Sequence, residues 1–517
     1  MVLRNAVHKD LYADSVALMR VASRLAGEPG VDAVSLVMGT PANREVLAET
    51  GMLTAEGRSA APNDLIVAVR GTDAAADAAL AAAVSALRAA DGPPEGEPGE
   101  GGPPLRSLAG APADADLALI STPGAYAAAE ARKALRRGLH AFVFSDHVPL
   151  ADEVELKREA ARRGLLVMGP DCGTAVVGGV PLGFANAVRR GGIGLVGASG
   201  TGLQQVSTLL HDMGAGVSHI IGTGSRDVSE EVGGLTMRAA LDALAADPAT
   251  DSVVLVSKPP APRVAEQLLR HMSELGKPAV VCFLGWDPAG VPLPHGVTLA
   301  STLYEAARAA AEQALGRPVP PSSGPRLPAL PPSRRLLRAL YAGGTFAHEA
   351  GLLLGPVLGE LDRSGRLPAL PPRHLVLDLG DDEFTAGRPH PMIDPGVRTA
   401  YLRAALADPA TAVVVLDVVI GYGAAADPAA AVAATLAEAD AEADGGTGAD
   451  RPAVLCFVVG TDDDPQGASA QRRTLREAGA VVVGSSTEAA LACAQLLDSP
   501  GGFDARPAHA ATIGGSA

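Results

Sequence analysis

From Asp114 onward, short apolar segments alternate with segments that carry apolar residues at helical spacing, and glycine-rich turns follow several of the apolar segments. In the stretch Gly191 to Arg226, a strand from Ile193 to Val196 leads into the turn GASGTG and then into a helix from Leu203 to Met213. Such alternation is typical of parallel strands joined by crossover helices. The sequence therefore predicts an α/β protein with parallel sheets and, before Asp91, a small α/β module.

The turn GASGTG is suited to an anion, because glycine lets the backbone approach a ligand and the start of a helix offers free N–H groups and a positive dipole end. A second glycine turn, GTGSRD, follows the next strand, and its arginine is able to form charge-assisted bonds to the same anion. Ordinary strand-to-helix turns are the alternative, but two in succession favour a phosphate or carboxylate site. The residues assigned to it are Ser199, Gly200, Thr201, Gly202, Gly224, Ser225 and Arg226.

Two further turns, GPDCGTA and AGGTF, have the same glycine-rich character. Ligands of open parallel sheets bind beyond the carboxyl ends of the strands, so we expect these turns to contribute to binding as well. Their assigned residues are Gly169, Pro170, Asp171, Cys172, Gly343, Gly344 and Thr345. We give Cys172 no nucleophilic role, because free cysteines are most often small core residues.

Proline- and glycine-rich stretches divide the chain, since such compositions cannot bury a core. We expect a ferredoxin-like module at 1–91, a linker at 92–113, a Rossmann-like domain at 114–190, two further α/β domains at 191–316 and 334–499 with a linker at 317–333 between them, and a flexible tail at 500–517.

Charge and cysteine usage exclude several classes of protein. The net charge is −16 and no basic cluster interrupts it, which argues against nucleic acid as a partner. The four cysteines are far apart and lack metal-ligand spacing, so we expect reduced thiols and no metal centre. No signal peptide and no apolar run of transmembrane length is present. We expect a soluble cytoplasmic protein that does not bind membranes.

Lys258 follows the strand Val253 to Val256 and precedes two prolines. A lysine held at the carboxyl end of a strand presents a point cation to an acyl or carbamoyl phosphate. The alternative, which the sequence favours equally, is that Lys258 is a solvated surface lysine.

The run from Asp378 to Pro395 supplies the other candidate catalytic residues. Arg388 can clamp a carboxylate or phosphate, His390 can move a proton or polarise a carbonyl, and Asp394 can orient that histidine. A rigid surface turn is the alternative. Two groups of acidic residues are expected either to hold Mg²⁺ through water or to form solvated faces. They are Asp378, Asp381 and Asp382, and the run from Asp462 to Asp464.

The motifs STPG, GPDCGTA and GASGTG resemble those of the α subunit of succinyl-CoA synthetase over Asp114 to Ala310, and the last domain resembles the ligase half of the β subunit. Nearly the whole chain resembles the FdrA family, through MGTPAN, LLVMGPDCGT, GASGTG, VSKPPA, GRPHPMIDP and DVVIGYGAAADPA in that order. The resemblance implies that 114–190 is a Rossmann-like CoA-binding domain and that 191–316 and 334–499 are ligase domains, which are expected to be flavodoxin-like.

The resemblance is imperfect at the residues that carry phosphate in the synthetases. Their glutamate that orients a phosphohistidine corresponds here to Lys258, and no GHAGA-like loop occurs; His295 is the nearest histidine. There is also no ATP-grasp domain. A chain with anion turns and without this machinery is expected to bind a phosphorylated small molecule directly.

The FdrA resemblance implies a subunit of oxamate carbamoyltransferase, which converts oxalurate and phosphate to oxamate and carbamoyl phosphate in allantoin and purine catabolism with two other subunits. In this interpretation GASGTG, Lys258 and Arg388 bind phosphate, the developing oxyanion and the substrate carboxylate. Two alternatives stay open: an NDP-forming acyl-CoA synthetase, with CoA at STPG and GPDCGTA, and a non-catalytic scaffold that senses CoA or a nucleotide. Because ligase-type halves usually pair, we expect a homodimer or a hetero-oligomer.

Overall fold

The computed structural model describes residues 1–11, 13, 15–90, 107–288, 291–322, 324, 326–328, 330–331, 333–385, 389–442 and 451–497. Most of the predicted linker at 92–113, the predicted tail at 500–517 and Arg388 lie outside the described residues.

The amino-terminal unit is a layered α/β module. Its elements are β1 (Val2–His8), α1 (Ser15–Ala26), β2 (Val31–Met38), α2 (Pro41–Glu49), α3 (Ala55–Arg58), β3 (Leu65–Gly71) and α4 (Asp73–Ala90). The described strands pair antiparallel in the order β1-β3-β2. Sequence periodicity missed β1, whose central Arg4 and Asn5 interrupt its apolar pattern; Asn5 is buried and bonds the backbone at Met52 and Thr54.

The next unit is a small parallel sheet. It contains β4 (Leu117–Ile120), α5 (Gly124–Arg136), β5 (His140–Val143), α6 (Leu150–Arg163) and β6 (Val167–Met168). Within the described part of the chain its strands run parallel in the order β4-β5-β6. Alanine and leucine side chains on α5 and α6 pack against one face of this sheet.

A larger sheet follows. Its elements are β7 (Thr174–Val177), β8 (Val180–Gly183), β9 (Arg190–Gly197), α7 (Gly200–Asp212), β10 (Val217–Gly222), α8 (Leu235–Ala246), β11 (Ser252–Ser257), α9 (Pro262–Glu274), β12 (Ala279–Phe283), β13 (Val297–Leu299) and α10 (Leu303–Leu315). The described strands lie in the order β13-β12-β11-β9-β10-β7-β8, in which β9 to β13 are parallel and β7 and β8 form an antiparallel hairpin.

The last unit is wholly parallel among the described residues. It consists of β14 (Leu336–Tyr341), α11 (Gly344–Leu358), β15 (Leu375–Asp378), α12 (Asp382–Thr385), α13 (Gly396–Ala407), β16 (Thr411–Val419), α14 (Pro428–Glu442), β17 (Ala453–Val459), α15 (Ala468–Glu477), β18 (Val481–Val483) and α16 (Ser486–Leu497). Its strand order is β15-β14-β16-β17-β18. The predicted α/β fold class with parallel sheets is thereby confirmed.

The two larger units repeat one topology, because β10-β9-β11-β12-β13 follows the same order of connections as β15-β14-β16-β17-β18. Helices α7 and α10 of the first repeat pack against α11 and α16 of the second. Buried Glu349 on α11 accepts bonds from Leu303 N (2.8 Å) and Thr487 Oγ1 (3.0 Å). Gln205, at the corresponding position of α7, accepts a bond from Ser486 N (3.3 Å). Each half therefore caps a helix of the other, within one chain.

Among the described residues, we find no helix of the length and apolarity required to cross a membrane.

Candidate anion-binding site

The starts of α7 and α11 meet at the interface between the two repeats. Ser199 caps α7 by accepting a bond from Gly202 N (3.0 Å), and its hydroxyl lies 2.5 Å from the hydroxyl of Thr345 on α11. A Cβ added to Gly343 would lie 3.0 Å from the Thr201 methyl carbon. The turns GASGTG and AGGTF are therefore in direct contact. Two positive helix ends at one point favour an anion.

Asp378, at the end of β15, lies against the start of α11. Its Oδ1 accepts a bond from Gly380 N (3.0 Å), and its Oδ2 is so close to the Cα of Gly344 that a Cβ there would collide with it. The glycine is thus required by the close approach of a carboxylate. Burial raises the pKa of Asp378 to about 6, an effect that the positive charge of Lys258 opposes. From the sequence, Asp378 was considered either as a Mg²⁺ ligand through water or as part of a solvated face.

Lys258 is exposed and lies on the loop after β11. Its charge acts on Asp378 of the other repeat and also on His348 of α11, whose pKa is lowered first by burial and then by Lys258. His348 Nε2 lies 3.2 Å from the carbonyl oxygen of Leu284, which follows β12. His348 was missed in the sequence, although it follows the GGT turn at the position that Gln204 occupies after GASGTG.

His390 reaches the same region from the loop before α13. Its Nδ1 accepts a bond from Met392 N (3.2 Å), so the proton of the neutral ring belongs on Nε2. That nitrogen faces Gly380, where an added Cβ would lie 2.6 Å from it. Burial, aided by Arg398, lowers the pKa of His390 to about 4. At neutral pH His390 is therefore an uncharged hydrogen-bond donor.

The expected orientation of His390 by Asp394 is not what the structure shows. Asp394 Oδ1 accepts a bond from Gly396 N (2.8 Å), at the start of α13, while the imidazole is held by the backbone of Met392. A short acidic side chain two residues before a helix satisfies the free N–H groups there. Asp394 thus fixes the loop rather than the ring.

The turns GPDCGTA and GTGSRD form a second contacting pair. Gly224 has a positive φ of 82° and lies against the backbone of Gly169 and Pro170. Ser225 Oγ donates to Asp171 Oδ2 (3.2 Å), and desolvation raises the pKa of Asp171 to about 6, with the charge of Asp146 adding to the effect. The glycines of these two turns are therefore required in part by the packing of one turn against the other. This agrees with the alternative that they are ordinary strand-to-helix turns.

Asp171 borders an exposed group formed by Asp146, His147 and Asp382. His147 Nδ1 lies 3.1 Å from Asp146 Oδ1 and its Nε2 lies 3.5 Å from Asp382 Oδ2. The bond to Asp146 is the main cause of the raised pKa of His147. The acids after β15 thus diverge, because Asp382 turns toward His147 and Asp381 accepts a bond from Glu383 N (3.0 Å).

Arg226 is held by internal contacts. Its Nε lies 2.8 Å from Glu153 Oε2 and its guanidinium donates to the carbonyl of Val148 (2.7 Å). Glu153 also pairs with Lys157 (2.8 Å), whose Nζ lies 2.8 Å from Asp227 as well. The side chains of Glu153, Lys157 and Asp227 are fully buried. This network ties α6 to the loop after β10.

Two other candidates have structural contacts. Cys172 is buried, donates weakly to the carbonyl of Thr174 (3.6 Å), and has its pKa raised by burial to about 12, so it is a thiol rather than a thiolate nucleophile. Asp464 accepts bonds from Asn186 Nδ2 (2.9 Å) and Ala187 N (2.7 Å) and thereby joins the two repeats.

A cleft of about 570 Å³ opens beside β4, next to the STPG turn. Its apolar wall includes Leu119, Phe142, Phe144 and Phe184, and Ser121 and Thr122 supply hydroxyls. The ring of Phe184 lies 6.4 Å from that of His390 between centroids, so the cleft adjoins the anion site. The Thr122 hydroxyl oxygen is buried and has no hydrogen-bond partner among the described residues.

His295 lies away from these groups. It is exposed, and its neighbour Gly296 accepts a bond from Ala279 N (3.0 Å) at the amino end of β12. The site is at the carboxyl ends of the strands, so His295 is at the opposite edge of the sheet.

Comparisons with known families agree with these units. Residues 1–101 match the family described as AllF, heavy metal-associated domain, residues 189–285 match CoA binding domain, and residues 340–496 match CoA-ligase. Residues 1–101 contain no cysteine, so the soft thiolate ligands preferred by many heavy metals are missing from that module.

The chain thus carries the CoA-binding and CoA-ligase domains of the succinyl-CoA synthetase superfamily. The α subunit of the ADP-forming succinate–CoA ligase of Methanothermobacter thermautotrophicus is 26% identical over 216 residues, which are 40% of this chain and 72% of that subunit. A solved structure of the dinucleotide-forming acetyl-coenzyme A synthetase 1 of Ca. Korarchaeum cryptofilum in its apo form is 17% identical, with a TM-score of 0.33 over 76% of this chain and 84% of that one.

The similarity to one relative extends over nearly the whole length. The uncharacterized protein YahF of Escherichia coli (strain K12) is 37% identical over 520 residues, covering 96% of this chain and 99% of YahF. The chain belongs to the YahF family.

Proposed function

We propose that the chain binds a phosphate or carbamoyl phosphate where α7 and α11 meet, and that it works in phosphate-dependent carbamoyl transfer, with oxalurate and phosphate giving oxamate and carbamoyl phosphate. The contact between Ser199 and Thr345 carries this proposal, because it brings two helix starts to one point. The first N–H groups of a helix have no acceptor within the helix, and those that no cap satisfies are available to a ligand. Gly202 N is capped by Ser199 and Phe346 N by the Gly343 carbonyl, so the proposal concerns the N–H groups before them in each turn. The match of residues 1–101 to an AllF domain agrees with the FdrA resemblance from which this reaction is inferred.

The neighbouring side chains have roles that fit this chemistry. Lys258 supplies positive charge against the oxyanion that forms when phosphate oxygen attacks the carbamoyl carbon. Neutral His390 donates a hydrogen bond from Nε2 to a carbonyl oxygen, as an uncharged imidazole can. The bond from carbamoyl carbon to nitrogen then breaks, and the leaving nitrogen takes up the proton that hydrogen phosphate gives up, which yields the oxamate amide. Arg388, outside the described residues, is proposed to bind the substrate carboxylate.

The proposal is tested by thermal stabilisation of the purified chain, because a ligand that binds only the folded state raises the melting temperature. We expect shifts with phosphate and carbamoyl phosphate that are lost in Lys258→Ala. Formation of carbamoyl phosphate from oxalurate and phosphate is then measured for the chain alone and with the two other subunits that the FdrA resemblance implies. Ligand shifts without turnover in either assay would contradict the carbamoyl-transfer proposal and favour a binding scaffold.

A CoA ligase is the second candidate, favoured by the cleft beside STPG and by the CoA-binding match. The cleft has the apolar wall and few polar groups typical of small-molecule sites, and Thr122 offers a free hydroxyl. In this case CoA raises the melting temperature and Phe184→Ala removes the shift. Stabilisation by CoA without any effect of carbamoyl phosphate would replace the first proposal by this one.

We also propose that the chain binds Mg²⁺ and that it assembles with partner chains. We expected an oligomer because ligase-type halves usually pair. In this chain the two halves already pair with each other, through α7, α10, α11 and α16. Size measurement with and without phosphate would test the expected homodimer or hetero-oligomer.

A further inference from the structure

A second cavity, of about 400 Å³, lies at the other end of α7 from the proposed anion site. Both repeats contribute to its walls, through the end of α7 (Asp212), the segment after α10 (Arg317) and the start of α16 (Glu488). Part of the linker expected at 317–333 is therefore built into a wall of this cavity. Its volume is in the range of small-molecule sites, which often lie between two structural units.

Arg317 is a cation that the protein itself does not use. It is exposed, two residues after the end of α10, and it makes no ion pair or hydrogen bond with any residue that the structure describes. Glu488, which lines the same cavity, is already engaged, because its Oε1 accepts a bond from Ser322 Oγ (3.0 Å) and its Oε2 one from Gly484 N (2.6 Å). A free guanidinium presents a planar fork of donors that fits a carboxylate.

Asp212, the last residue of α7, is the complementary acid. Its Oδ2 lies 3.3 Å from Arg472 Nη2, whereas its Oδ1 has no bond among the described residues. Partial burial raises the pKa of Asp212 although Arg472 and His211 both oppose the effect, so its negative charge is incompletely compensated. The carboxyl end of a helix adds negative potential at the same place. An ammonium group beside Oδ1 would therefore be favoured.

The two charged groups lie at the same end of the cavity. Helices α7 and α10 each follow a strand of one parallel sheet and pack against each other, so they run in the same direction and their carboxyl ends lie side by side. The wall next to these charges is apolar and is formed by Leu209, Met213 and Val319. Opposite charges at one end and an apolar wall beyond them fit a ligand of the same construction.

We propose that this cavity binds a free α-amino acid with an apolar side chain, with the carboxylate on Arg317, the ammonium group on Asp212 and the side chain against the apolar wall. The site is separate from the proposed anion site and does not depend on the reaction proposed above. Because its walls belong to both repeats, a bound amino acid holds the repeats together and raises the melting temperature of the chain.

Three small molecules test the assignment on the full-length wild-type chain. L-Leucine, 4-methylpentanoate and 3-methylbutylamine share one branched hydrocarbon chain and differ in the charged groups that they carry. By calorimetry at pH 7.5, we expect leucine to bind at least about tenfold more tightly than either analogue, because each analogue lacks one charge-assisted contact. An analogue that binds as tightly as leucine overturns the amino-acid assignment, and no binding of any of the three overturns the site.

Two substitutions at exposed side chains then test the two contacts. Arg317→Gln and Asp212→Asn should each weaken leucine binding by about tenfold or more. Their matched controls are Arg473→Gln, at an exposed arginine of α15 that does not line the cavity, and Asp242→Asn, at an exposed acid of α8 that pairs with His271 (2.8 Å); both should keep the wild-type affinity. Equal affinities in variants and controls overturn the assigned contacts. The melting shift produced by phosphate should be the same in all four proteins, so failure of the amino-acid site and failure of the anion site are distinguishable.

Discussion

Ser199 Oγ and Thr345 Oγ1 lie 2.5 Å apart, although the two residues are separated by 146 positions in the chain. Each stands at the start of the first helix of its repeat, directly after the first strand. The contact therefore joins corresponding turns of two duplicated sheets, although Ser199 and Thr345 are not equivalent positions within those turns. It also sets the distance between the two helix ends that we propose as an anion site.

Replacing Thr345 by valine keeps its shape and removes the hydroxyl. We expect the melting shift produced by phosphate to fall by half or more. Without Thr345 as its partner, the Ser199 hydroxyl would compete with phosphate for the backbone N–H groups at the helix starts. The matched control is Thr435→Val, which removes a buried hydroxyl that donates to Ala431 O (2.9 Å) in α14. Both variants should lose about 1 kcal/mol of folding free energy. Equal phosphate shifts in both would contradict the assignment of Thr345.

Lys258→Ala should weaken phosphate binding by about tenfold or more, as expected for loss of a charge-assisted contact. The matched control is Lys133→Ala, since Lys133 is an exposed lysine paired with Glu130 (2.6 Å) on α5, far from the helix starts in sequence. Affinity is measured by calorimetry at constant ionic strength, because a general change of net charge would affect both variants equally. An unchanged affinity in Lys258→Ala would return this residue to the solvated-surface interpretation.

Two histidines should titrate on opposite sides of the usual range. His390 stays neutral down to about pH 4 because burial lowers its pKa, whereas Asp146 raises the pKa of His147. Histidine-selective NMR, with resonances assigned through His390→Asn and His147→Asn, measures both. Because unfolded His390 binds a proton below about pH 6.5 and the folded form does not, its contribution to stability is lost as the pH falls from there toward 4. A midpoint for His390 near 6.5 would remove its role as a neutral donor.

Lys157→Met should be strongly destabilising. The change leaves Glu153 and Asp227 buried without their shared cation, for which the expected cost is about 3–5 kcal/mol. Lys133→Met, at an exposed pair, should cost less than about 1 kcal/mol. Melting curves and limited proteolysis between α6 and β7 report the difference. A melting temperature for Lys157→Met equal to that of the control would show that the network does not hold the two units together.

Sequence periodicity identified most strands of the parallel sheets, because a buried strand such as β11 carries a continuous run of apolar residues. It missed β13 and was wrong for β14, since a helix was expected before the AGGTF turn and the structure has a strand there. It failed for β1, where the side chain of Asn5 is buried by bonding to a distant loop. A repeated α/β pattern in the two larger units was expected from the sequence, but their shared strand order was not. Their correspondence lies in the order of the strands, while the sequence similarity is limited to short stretches such as GTGLQQ and GTFAHE.

The candidate site was predicted in part. Turns at strand ends indicated Ser199 and Thr345, but no local pattern could show that they touch, since that contact depends on how the repeats pack. Asp378 and His348 were missed as neighbours of Lys258 for the same reason. Conversely, Arg226 seemed suited to an anion because the sequence does not show Glu153, its buried partner.

Both helix starts of the proposed site are encoded in one polypeptide, and this has a consequence for assembly. When two halves of a pocket belong to separate subunits, dilution separates them and unequal synthesis leaves orphan halves. Here the contact between the halves is intramolecular, with an effective concentration set by the connecting chain rather than by the number of molecules in the cell. The pocket should therefore form at any protein concentration, and its two sides are always made in equal amounts.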